Sequence, residues 1–119
     1  MDAKDKQIQK LLANFTQASR IHYDASMAGD WRTANAQAKK INKTFLALTN
    51  LGDDARKALL DLVDTETLPV AAMAAVYSLK FSPERALATL QKIAKEPGLI
   101  GFKAEQAIKR WTEGSWQLE

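Results

Sequence analysis

The chain has 119 residues and a net charge of +3, from 17 basic and 14 acidic side chains; this is one domain's worth of sequence, able to bury a core without staples. It contains no cysteine, which excludes disulfides and thiolate metal sites and fits a reducing cytoplasm. Five of the first ten residues are charged and they carry no apolar run, unlike a signal peptide, and no stretch approaches the roughly 18 apolar residues that span a bilayer.

Ala, Leu, Lys, Gln and Glu dominate, strand formers are scarce, and only five glycines and three prolines break the chain. The expected fold class is therefore all-α. Helix one is expected from about Asp5 to Ala28, with Ile8, Leu11, Leu12, Phe15, Ala18 and Ile21 in one apolar stripe. Gly29 is placed to end it and Asp30 to cap the next helix. Helix two follows from about Trp31 to Leu51, with a stripe of Ala34, Ala38, Ile41, Phe45 and Leu48. The short Gly29-Asp30 link folds the two into an antiparallel hairpin.

Helix three is expected from about Asp54 to Val63, with Asp53 as its N-cap and Ala55, Ala58, Leu59, Leu62 and Val63 inward. The segment from Asp64 to Glu66 reads as a polar turn. Helix four, about Leu68 to Leu79, has Thr67 as its N-cap candidate and Pro69 in the first turn. Val70 to Tyr77 carries no charge, and a helix apolar on all sides is surrounded by others, which places it at the centre of the fold. Ser82-Pro83 opens helix five, which carries Ala86, Leu87, Leu90, Ile93 and Ala94 and stops before Pro97-Gly98. Helix six is expected from about Leu99 to Thr112, with Phe102, Ala104, Ala107, Ile108 and Trp111 on its stripe. The chain closes on a short tail in which Trp116 is expected to fold back over the last hairpin.

Helices three and four resemble helices five and six. Leu59 and Leu62 match Leu87 and Leu90 at an offset of 28. Val70, Ala72, Ala75, Val76 and Leu79 match Phe102, Ala104, Ala107, Ile108 and Trp111 at an offset of 32. Two helical hairpins repeating every ~30 residues suggest a short HEAT-like α-solenoid, six helices in three antiparallel hairpins. The divisions are a long N-terminal hairpin (1–52), a first repeat (53–81), a second repeat (82–113) and a tail (114–119), all in a single helical domain. An ordinary helical bundle whose hairpins merely look alike is the plainer alternative.

Several runs carry a family resemblance: Asn42-Lys43 to Leu48, Gly52-Asp53-Asp54-Ala55-Arg56-Lys57-Ala58-Leu59-Leu60, Val70-Ala71-Ala72 to Leu79, Ser82-Pro83-Glu84-Arg85-Ala86 and the closing Glu113-Gly114-Ser115-Trp116. The chain resembles the small bacterial proteins grouped as domain-of-unknown-function family two-thousand-nineteen over about Trp31 to Trp116. It departs at Asp64-Thr65-Glu66-Thr67, where relatives tend to have His-Pro-Asn, and at Gln117-Leu118-Glu119, where relatives often show a proline. The resemblance implies HEAT-like helices and no catalytic residues. It also implies an association with proteins that resemble immunity proteins of bacterial toxin systems.

Catalytic and metal chemistry finds no support in the residues. His22 is the only histidine, and a metal site needs several ligands converging. Asp53-Asp54 is explained by helix capping. Asp61, Asp64 and Glu66 lack the glycine and the terminal glutamate of a calcium loop. Glycine-rich phosphate loops and nucleophile elbows are absent. The expectation is a protein that is not an enzyme and takes no cofactor or metal.

Charge is uneven. Trp31 to Gly52 holds four basic residues, Arg32, Lys39, Lys40 and Lys43, and no acid, while Asp53 to Glu66 holds five acids against Arg56 and Lys57. The plain reading of the basic row is the solvated face of an amphipathic helix; the functional one is a docking strip for an acidic partner. In a HEAT-like array one helix of each hairpin lines a binding face, which adds Tyr77, Lys80, Lys103 and Arg110. The sequence thus points to a cytoplasmic, non-catalytic protein-binding module, present as a monomer or weak dimer and not at a membrane, and the family resemblance implies an immunity protein that neutralises a toxin domain. Weak nucleic-acid binding or an adaptor role through the basic face of helix two is the alternative.

Overall fold

The computed structural model describes residues 2–65 and 67–114. They form six helices in chain order: α1 (Ala3–Met27), α2 (Trp31–Asn50), α3 (Asp53–Thr65), α4 (Leu68–Ser78), α5 (Pro83–Ile93) and α6 (Leu99–Thr112). No strand occurs among the described residues. The protein is all-α. It divides into two compact units, one ending at Leu59 and the other beginning at Leu60.

In the first unit α1 packs along α2. The link between them is short because two residues do the work of two caps. Gly29, at φ 73°, reverses the chain. Its N–H donates to the Ser26 carbonyl at 3.2 Å, and the Asp30 N–H donates to the Ala25 carbonyl at 2.8 Å. This is the paired closure that a left-handed glycine permits. The Asp30 carboxylate then accepts from the Thr33 N–H at 3.2 Å and starts α2. Ile8, Phe15 and Ala18 of α1, and Ala34, Ile41, Phe45 and Leu48 of α2, are buried, as their spacing predicts.

In the second unit α4, α5 and α6 pack on one another around Ala71, Ala75, Leu79, Ala86, Leu90, Ile93 and Ala104. Val63 of α3, and Val76, Ile108 and Trp111, pack against that cluster from its margin. Each fully buried leucine contributes about 1.5–3 kcal/mol. Arg85 of α5 reaches α3, where its guanidinium donates to Asp61 at 3.0 Å and to Asp64. Gly101, in the first turn of α6, is buried against backbone: a Cβ there would lie 1.8 Å from the Glu96 carbonyl oxygen.

Several expectations need correction. Asp53 is not the N-cap of α3 but its first residue, and its carboxylate pairs with Arg56 one turn on. The expected polar turn at Asp64 is helix, because α3 continues through Thr65; Glu66 lies outside the described residues. Both Thr67 and Ser82 occupy N-cap positions, but neither side chain makes the capping bond. At these starts Pro in the first turn, which needs no N–H partner, sets the boundary instead. Phe102 is assigned to the inward stripe of α6, yet it is 58% exposed, whereas its repeat equivalent Val70 is fully buried. Trp116 and its expected fold-back lie outside the described residues.

Candidate partner-binding surfaces

All four basic residues of α2 are exposed. At 100° per residue, Arg32, Lys39 and Lys43 fall within about 40° of one another, with Lys40 on their flank. The buried row of Ala34, Ile41, Phe45 and Leu48 lies on the opposite side of the helix, so packing against α1 turns the cations outward. Among the described residues none of the four forms an ion pair. The two acids that follow the helix in sequence are already engaged. Asp53 is held by Arg56, and Asp54 by Lys4 at 3.1 Å. The Lys4 ammonium keeps the Asp54 carboxyl below its ordinary value.

Two large apolar side chains share that outer face. Trp31 is 62% exposed and Leu46 52% exposed. With Asn35 and Asn42 between them, they extend the basic row into a face about 120° wide. Sequence reasoning did not single these two out. The signal was their absence from the buried stripe: Leu46 lies about 20° from Lys39 around the helix, and Trp31 lies between the lysines and the buried row.

The other four candidates divide. Lys80 is exposed just after α4, and Lys103 and Arg110 are exposed one above the other on α6. The stem of Lys103 is partly covered, and that desolvation pushes its ammonium below the usual lysine value. Tyr77 does not belong with them. It is only 5% exposed, because α4 is apolar around its circumference and buries it with Val70, Ala74 and Ala75. The α2 row is therefore the larger of the candidate sets that share a helix face among the described residues. Lys103 and Arg110 form a smaller group beside the exposed Phe102.

Among the described residues no three His, Cys, Asp or Glu side chains converge to hold a metal. His22 is half-buried on α1. No helix among the described residues is long and apolar enough to cross a membrane.

No family model matches the sequence, and no curated protein matches it. The crystal structure of the protein RPA1889 from Rhodopseudomonas palustris CGA009 is similar over 100% of this chain and 99% of that one, with a TM-score of 0.84 and 21% sequence identity. At that identity the likeness establishes a shared all-α fold and leaves function to be argued from the surface.

Proposed function

We propose that this chain is a non-catalytic, cytoplasmic module that binds another protein, and that it serves as an immunity protein occluding a bacterial toxin domain. The observation that carries the binding reading is the outer face of α2, with three exposed cations, Lys40 exposed on their flank, no acid and two exposed apolar side chains. Such a face gains from an acidic partner through faster, steered association. The toxin assignment rests on the resemblance to domain-of-unknown-function family two-thousand-nineteen. The protein acts as a monomer or weak dimer.

The same reading includes a HEAT-like arrangement of the C-terminal helices. Stacked hairpins bring first helices beside first helices and second beside second. The ion pairs of Arg85 link α3 to α5, and α4 packs on α6, which supports that order.

The test is a pull-down from the source cell with tagged protein, eluted at rising salt and identified by mass spectrometry. One stoichiometric protein that is toxic alone and silenced by this chain is the expected result. Nucleic acid without protein, released at moderate salt, would overturn the reading and favour the basic row as a weak nucleic-acid site.

A further inference from the structure

The geometry points to a specific occupant for α2: we infer that its outer face docks an acidic helix of another protein that carries an apolar side chain near each end of its contact row. This rests on the protein-binding reading and narrows it to one surface and one partner chemistry.

Trp31 and Leu46 are fifteen residues apart in sequence, so they stand about 22 Å apart along the helix axis. Lys39 and Lys43 continue the i, i+4 row that runs from Trp31 through Asn35, Leu46 lies about 20° from Lys39 around the helix, and Arg32 stands beside that row. An α-helix laid along such a row meets it at every turn, through the three-and-four spacing by which helices recognise one another. The exposed tryptophan and leucine provide apolar anchors at the two ends. Tryptophan is the side chain most often found to dominate such interfaces, whereas the charged centre adds rate and register.

Charge determines the sign of the partner. From Trp31 to Gly52 the chain has no acid. Asp53 and Asp54, which follow, are already paired with Arg56 and Lys4. Among the described residues none of the four cations of α2 forms an ion pair.

The apolar anchors distinguish protein from nucleic acid. A single-strand binder places several aromatic side chains where successive bases stack along a basic groove. This face has one aromatic, at its end, and Leu46 gives nothing to a phosphate or a base edge. Two apolar anchors flanking a basic centre match an amphipathic acidic helix instead.

The experiment uses the full chain and a fluorescently labelled helical peptide about 20 residues long, enough to span both anchors. Its contact row reads Leu, Glu, Glu, Glu, Leu at helical spacing. The controls are the same peptide with both Leu replaced by Gln, and a thymidine oligonucleotide of equal charge. Fluorescence anisotropy should show that the Leu-bearing peptide binds tightest. Trp31→Ala and Leu46→Ala should each weaken it about tenfold, the loss expected for an interface anchor. Lys39→Glu combined with Lys43→Glu should abolish it. All four positions are exposed or half-exposed, so the variants should keep the helical circular dichroism of the parent. The proposal is overturned if the Leu-bearing peptide does not bind, if the anchor substitutions leave its affinity unchanged, or if the oligonucleotide binds more tightly. A failure here beside a successful pull-down moves the partner to another face. Peptide binding beside an empty pull-down keeps the α2 face and removes the toxin assignment.

Discussion

Single residues determine where this chain turns and how closely its backbone can approach itself. Gly101 is the tightest case. Alanine is a better helix former than glycine by about 1 kcal/mol, so propensity alone says Gly101→Ala should stabilise α6. The Glu96 carbonyl oxygen, 1.8 Å from where the new Cβ would sit, says the opposite. Gly101→Ala is expected to lower the thermal midpoint, and a midpoint at or above that of the parent would show that the turn at Glu96 yields freely.

Asp30 works through its charge. Hydrogen bonds from the Thr33 side chain, and then from the Thr33 backbone N–H, hold its carboxyl below the ordinary value of 3.8. A carboxyl depressed in the folded state contributes stability that is present above the unfolded value and is lost as pH falls through the folded one. Asp30→Ala should therefore melt earlier than the parent at pH 7, and the gap should narrow as the pH drops below 3.8. Melting curves across that range check the sign.

Elements are held by two kinds of contact of very different strength. The pairing of α5 with α3 through Arg85, Asp61 and Asp64 is partly exposed. Solvent screening limits such pairs to about 1 kcal/mol or less. Arg85→Ala should accordingly cost little, and its cost should shrink further at about 0.5 M salt, where the screening length falls to a few ångströms. The apolar packing of α4, α5 and α6 is another matter. Leu90 is fully buried in that cluster. Leu90→Ala should cost about 2–5 kcal/mol, a large share of the roughly 5–15 kcal/mol that holds a domain together. Urea titrations of the two variants separate these scales, and a larger loss at Arg85 than at Leu90 would reverse the ranking.

Seen whole, the molecule segregates its charge along the chain. Up to Leu59 it holds ten basic and six acidic residues, whereas residues 60–118 hold seven of each. The excess sits in the unit that carries the exposed α2 row. In the second unit Arg85 pairs with Asp61 and Asp64, and Lys103 and Arg110 are exposed on α6. For an acidic partner steered by charge, substitutions on α2 are expected to change the association rate more than those on α6.

Sequence by itself determined the six helices, because apolar periodicity, glycines with no side-chain penalty at left-handed φ and prolines at first turns are local signals. It also determined the charge of the α2 row and the inward residues of α1, α2 and α5. Only the tertiary structure decided the rest. Tyr77 is buried because neighbours surround α4, and Phe102 is exposed although its repeat equivalent Val70 is not. Asp61 and Asp64 have a partner twenty or more residues away, which no local pattern announces. Trp31 and Leu46 became a pair on one face only when the packing of α1 fixed which side of α2 met solvent. In each case the deciding quantity is what covers a side chain, and that depends on residues distant in sequence.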